Sequence, residues 1–139
     1  MNEAFQRLLD NVNHPDPETR IAALDAIGQW RAEHDDSELT RRALPRITAA
    51  LSDEVRDVRW AAAYALGAMG HVECVPALIG ALWRSQGDPG LQLVIVKALG
   101  KIDCPDAIPA LEALTASCGS RCVRVAAARS LARLNRAAA

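Results

Sequence analysis

The sequence predicts an all-α fold: an α-α superhelix, or short solenoid, of four helical hairpins. One pattern occurs four times, as RIAALDAIG, RWAAAYALG, QLVIVKALG and RVAAARSLA, and its copies begin at Arg20, Arg59, Gln92 and Arg124. Within each copy the apolar residues recur every three or four positions, which is the spacing of one helix face. No useful length of sequence alternates apolar and polar residues with the period of two that a half-buried strand requires.

A second apolar stretch precedes each copy and predicts the first helix of each hairpin. These stretches read LLDNV, LPRITAAL, VPALIGAL and IPALEAL, and turn segments such as HPDPE and SQGDPG follow them. A helix tolerates proline in its first turn, which is where we expect Pro45, Pro76 and Pro109. Glycine commonly ends a helix, so we expect the second helices of the first three hairpins to end at Gly28, Gly67 and Gly100.

One hairpin cannot cover its own apolar face, so the four are expected to stack as a single domain over residues 1–139. The repeats span approximately 3–30, 37–70, 72–102 and 104–136. In the second repeat the predicted core residues are Val58, Ala62, Ala65, Leu66 and Met69.

The first and second repeats are separated by extra residues. The polar segment RAEHDDSELTRR at 31–42 accounts for them. It either lengthens a helix, with Asp36 or Ser37 as its N-cap, or forms a functional loop. A longer helix is the simpler interpretation.

The segments VPALIGAL and VRWAAAYALGAMG resemble the HEAT-like repeat of the phycobilisome-lyase (PBS lyase) family. The resemblance covers nearly the whole chain and implies four HEAT-like hairpins whose second helices line a concave surface. It also implies an alternative function, a bilin lyase or isomerase subunit that acts on phycobiliproteins. The first repeat departs from the pattern at Thr19, and the fourth has Ala132 in place of the terminal glycine.

No catalytic, cofactor-binding or metal-binding residues are predicted. His14, His34 and His71 stand apart, without metal-ligand spacing, and are expected to be solvated. Cys118 and Cys122 lack a second pair at the usual zinc spacing. A four-cysteine site with Cys74 and Cys104 stays an alternative, because those two residues begin corresponding helices, but small buried thiols are the simpler expectation.

The net charge of −1 argues against a protein that binds phosphate backbones along its whole length. Residues 1–57 carry twelve acidic against seven basic side chains, whereas residues 104–139 carry two against five. Nucleic-acid binding through the basic C-terminal repeat is therefore a further alternative, and its cluster would be Arg121, Arg124, Arg129, Arg133 and Arg136.

The N-terminal MNEAFQRLLD does not resemble a signal peptide and no apolar run is long enough to span a membrane, so we expect a cytoplasmic protein without membrane contact.

Two rows of residues on the second helices predict the binding surface. One position after each start of the repeated pattern lie four apolar residues: Ile21, Trp60, Leu93 and Val125. Five positions after each start lie Asp25, Tyr64, Lys97 and Arg129. An apolar, partly aromatic row on a solvent face is typical of a protein-binding surface. We therefore predict a non-catalytic scaffold that binds a protein or peptide across its concave face and needs no cofactor; a second copy of the chain is one candidate partner. The alternative is that the first row is half buried between adjacent repeats.

Overall fold

The computed structural model describes residues 2–34, 37–117 and 119–138. In these residues there are eight α-helices and no strands. They are α1 (Glu3–Asn11), α2 (Pro17–His34), α3 (Ser37–Ala50), α4 (Arg56–Met69), α5 (Val75–Arg84), α6 (Pro89–Ile102), α7 (Ile108–Ser117) and α8 (Arg121–Ala138). Short 3-10 turns, Val72–Cys74 and Pro105–Ala107, lead into α5 and α7. The predicted all-α fold of four hairpins is confirmed.

The helices form two compact units, Met1–Met69 and Gly70–Ala139. In the first unit α2 packs along α4, and α1 and α3 pack on these two helices. In the second unit α6 packs along α8, with α5 against α6 and α7 against α8. The second helices of the hairpins are therefore the central helices of each unit.

Aliphatic and alanine side chains fill the interior. The five core residues predicted for the second repeat are all buried, with exposures of 1% or less: Val58, Ala62, Ala65, Leu66 and Met69. Alanine at so many of these positions lets the helices approach closely, because little side-chain volume separates their backbones.

The prediction that glycines end the second helices is wrong. The second helices continue past Gly28, Gly67 and Gly100 to His34, Met69 and Ile102. A Cβ at Gly28 would lie 3.3 Å from the Cα of Ala65, and one at Gly100 would lie 2.6 Å from the Oγ of Ser130. Glycine at these two positions therefore favours close helix packing. The turns after α4 and α6 come at Gly70 (φ 72°) and Asp103 (φ 57°).

The insert at 31–42 lengthens helices wherever the structure describes it. Its described residues belong to the end of α2 and the beginning of α3, which starts at Ser37, whereas Asp36 lies outside the described residues. The early start of α3 leaves Pro45 in the helix interior, so its predicted place in a first turn is wrong. Pro76 and Pro109 are the second residues of α5 and α7, as predicted.

Candidate functional site

An ion pair with little solvent exposure orders the turns of the first unit. Near the start of α2, the Arg20 guanidinium donates hydrogen bonds to the carbonyl oxygens of His14 (2.9 Å) and Pro15 (3.0 Å). It also pairs with both carboxylate oxygens of Asp53, at 3.1 Å each. Arg59 repeats part of this arrangement by donating to the carbonyl oxygen of Asp53 at 2.7 Å. The sequence marked these arginines only as the first residues of a repeated pattern, and the structure shows what they bind.

Two contacts between the segments of α2 and α4 show the relative direction of these helices. Arg20 near the start of α2 meets Asp53 just before α4, and Gly28 further along α2 meets Ala65 of α4. The two helices therefore run in the same direction and present corresponding positions side by side.

The predicted face of the first unit is partly open to solvent. Trp60 and Tyr64 are 39% and 47% exposed, and their rings stack with centroids 5.5 Å apart and planes 8° from parallel. On α2, Asp25 is exposed and Ile21 is half-buried. The aromatic pair thus forms a flat, ordered apolar surface on α4, next to the face of α2 that carries an acid.

The predicted residues of the second unit meet at one depression. Leu93 and Lys97 on α6 and Val125 and Arg129 on α8 line a space of about 330 Å³. The other lining residues, all on α8, are Arg121, Cys122 and Ala126. We call this depression the α6–α8 pocket. Val125 is 41% exposed and Leu93 is half-buried. The apolar row is therefore mixed, with one exposed and one half-buried member in each unit.

Family comparisons agree with this architecture. The model of HEAT repeats matches residues 5–89, which is more than half of the chain. This chain belongs to the HEAT-repeat family. The model of the PBS lyase HEAT-like repeat matches residues 91–117 of this HEAT-repeat chain, so the predicted resemblance is confirmed. No curated protein matches it significantly. HEAT repeats generally serve as scaffolds for protein interactions.

A second depression in the HEAT-repeat chain was not predicted. It has a volume of about 440 Å³ and lies at the turn end of the second unit, lined by Trp83, Gln86, Gly87, Pro89, Gln92, Leu114, Ser117, Gly119 and Ser120. Trp83 is 40% exposed. The sequence signal was present, since a tryptophan directly follows the core stretch VPALIGAL and glutamine stands at Gln92 where the other repeats have arginine.

The histidines do not all behave as expected. His14 and His34 are exposed, with His14 Nδ1 accepting the Asp16 N–H at 3.0 Å and His34 stacked on Trp30 at 4.1 Å. His71, however, is buried at 4% exposure, so the expectation of solvation is wrong there. It follows the turn at Gly70, and its carbonyl oxygen accepts a hydrogen bond from the Cys74 thiol at 3.0 Å, which holds this segment inward.

The described cysteines are free, and they differ in exposure. Cys74 and Cys104 are buried as expected, but Cys122 is exposed at the α6–α8 pocket; Cys118 lies outside the described residues. Burial raises the pKa of the Cys74 thiol to about 11, and the neighbouring Glu73 and Cys104 act in the same direction. In the part of the chain that the structure describes, no group of three or more His, Cys, Asp and Glu side chains could hold a metal ion.

The basic cluster of the last HEAT repeat is spread over different environments. Arg121 and Arg129 line the α6–α8 pocket, whereas Arg133 pairs with Asp103 at 3.5 Å. Arg124 is half-buried.

The described helices include none that is long and apolar enough to cross a membrane.

Proposed function

We propose that this HEAT-repeat chain is a non-catalytic scaffold that binds a protein or peptide along the exposed faces of its second helices. The proposed contact residues are Ile21, Asp25, Trp60, Tyr64, Leu93, Lys97, Val125 and Arg129. The proposal treats residues 1–139 as one domain and requires no cofactor.

The observation that carries this proposal is the exposed, stacked pair of Trp60 and Tyr64. Covering a large aromatic surface with a partner lowers the free energy of the complex, because that surface is removed from water. Tryptophan and tyrosine are enriched among the residues that dominate binding energy. Stacking already restricts both rings, so little further conformational entropy is lost when a partner covers them.

Site-specific cross-linking tests the proposal. A photoreactive phenylalanine analogue replaces Tyr64 in the expressed chain, and a matched variant carries it at the exposed position Glu112 of α7. We expect a discrete adduct from position 64 and none of the same mass from position 112. Untagged wild-type protein, added as a competitor, should reduce the yield of this adduct at a concentration at least about tenfold lower than the Trp60→Ala variant requires, because the indole is a central contact.

Two results would contradict the proposal. One is the same adduct from both positions, which indicates collision rather than a site. The other is equal competition by wild type and Trp60→Ala. An adduct of twice the chain mass would identify the partner as a second copy.

The second candidate function is a bilin lyase or isomerase subunit, favoured by the match of the PBS lyase HEAT-like repeat to residues 91–117. Such a subunit must bind the chromophore, which changes the visible absorbance of the bilin. Mixing the purified chain with free bilin tests this directly, and an unchanged spectrum at saturating protein would reject the candidate.

A further inference from the structure

The α6–α8 pocket combines aliphatic side chains, here called its floor, with exposed cations, here called its rim. Leu93, Val125 and Ala126 supply the aliphatic surface. The charged groups at this surface are Lys97, Arg121 and Arg129. The sequences of α6 and α8 contain no aspartate or glutamate. Among the described residues these three cations form no ion pair.

The placement of Arg121 adds to the positive potential. It is the first residue of α8, and the N-terminal end of a helix carries a partial positive charge from the aligned peptide dipoles. A cation at this end is unfavourable, and no acidic side chain is present in the first turn. An anion bound here would interact favourably with both the side chain and the helix end.

The corresponding positions of the first unit have different chemistry. Asp25 stands where the second unit has Lys97, and Asp57 stands where it has Cys122. Arg56, the counterpart of Arg121, pairs with Asp57 at 3.7 Å. The uncompensated positive charge is therefore a property of the α6–α8 pocket and not of the repeat in general.

We propose that the α6–α8 pocket binds an acidic peptide segment of a protein partner. One aliphatic side chain of the segment packs on Leu93 and Val125, and flanking carboxylates pair with the rim cations. This inference rests on the proposed scaffold function and specifies the partner's chemistry at this pocket.

The pocket suits an acidic peptide better than a nucleic acid. Single strands are held by stacking bases on aromatic side chains, and the lining contains none. A duplex is held by many phosphate contacts, whereas Arg133 of the same helix is already paired with Asp103. A phosphate backbone would also leave the aliphatic floor in contact with water.

Fluorescence anisotropy with a synthetic peptide tests the inference. The probe is a fluorescein-labelled peptide of leucine and glutamate, and the control peptide has glutamine in place of every glutamate. We expect the glutamate peptide to bind at least about tenfold more tightly at low salt, with the difference shrinking as salt is added.

Matched variants locate the binding. The double variant Lys97→Gln/Arg129→Gln should weaken the glutamate peptide about tenfold or more. Lys101→Gln/Arg136→Gln removes the same charge from exposed positions of the same two helices outside the pocket lining, and should change affinity less than about twofold. Val125→Ser leaves the charge of the pocket unchanged but removes aliphatic surface from its floor, and it should lower the affinity for the glutamate peptide about threefold. Thermal melts check that each variant is folded.

Several outcomes would overturn the inference. They are no binding of the glutamate peptide, equal binding of the two peptides, equal losses in the two double variants, or full affinity in Val125→Ser. Tighter binding of a duplex DNA probe that Lys97→Gln/Arg129→Gln abolishes would assign the pocket to nucleic acid. A specific cross-link at position 64 without peptide binding would reject this inference alone and leave the proposed function standing.

Discussion

Trp60 is only partly withdrawn from water, since 39% of its surface stays exposed while its ring stacks on Tyr64. We expect Trp60→Ala to lower the free energy of unfolding by about 1 kcal/mol, which is close to the average for single substitutions. Leu66→Ala on the same helix removes a fully buried side chain and should cost about 2–5 kcal/mol. Urea denaturation of both variants gives the comparison, and equal losses would show that Trp60 belongs to the core.

Arg20 and Asp53 form an ion pair whose side chains are only 11% and 16% exposed. Arg20→Met leaves the Asp53 carboxylate without its counter-charge in a poorly hydrated site, so we expect a loss of about 3 kcal/mol in the free energy of unfolding. Arg46→Met is the matched control, because Arg46 pairs with Asp10 at 3.3 Å and these side chains are 42% and 62% exposed. Its loss should stay below about 1 kcal/mol. Similar losses for both variants in urea melts would contradict a special role for the buried pair.

Substitution by alanine should have opposite effects on stability at two glycines, because their surroundings differ. At Gly100 an added Cβ would lie 2.6 Å from the Ser130 Oγ and 3.0 Å from its Cβ, so α6 and α8 would have to separate. At Gly80 the nearest atom is the flexible end of Arg84, at 3.3 Å. Gly100→Ala should therefore destabilise the protein by about 1–2 kcal/mol despite the better helix propensity of alanine. Gly80→Ala should stabilise it by about 0.5–1 kcal/mol.

A second-site change separates helix packing from helix propensity. Ser130→Gly in the Gly100→Ala background removes the clashing side chain, although it also introduces a glycine into α8 and loses the hydrogen bond from Ser130 Oγ to the Val96 carbonyl. If packing dominates, Ser130→Gly should cost less in the Gly100→Ala background than in the wild type. Additive effects of the two substitutions in denaturant melts would rule out contact between these positions as the cause.

At the scale of the whole molecule, we expect stability to be independent of metal ions. No metal-binding cluster occurs in the described ranges, and the described cysteines are free thiols. A structural zinc site would contribute on the order of 10 kcal/mol to folding, so its removal would be conspicuous. A strong chelator should leave the thermal midpoint and the helical circular dichroism spectrum unchanged. A fall of many degrees would instead support a cysteine site that involves Cys118 and Cys122.

The sequence predicted the helices well because helical periodicity is local, and Val58, Ala62 and Leu66 are buried as their spacing required. It did not predict the role of Gly28, because the reason for glycine there is Ala65 on another helix. The burial of His71 likewise depends on how the chain turns after Gly70. Four residues that line the α6–α8 pocket were named from the repeat register as members of two rows, but the pocket itself was not predicted. The depression beside Trp83 depends on the three-dimensional arrangement of two turns.

Pro45 lies inside α3 and has a further consequence for the exchange of backbone amide protons. Proline has no N–H, so the hydrogen-bond ladder of α3 is interrupted between its polar, insert-derived beginning and its buried end. The first turns of this helix can therefore open without breaking the bonds of Ile47–Ala50. Amides of Arg41 and Arg42, which are the first in α3 to have carbonyl partners within the helix, should exchange with solvent deuterium much faster than those of Ile47–Ala50. Pro45→Ala, which restores the missing donor, should slow amide exchange in the early turns. The exchange rates of the two halves of α3 should then become more similar.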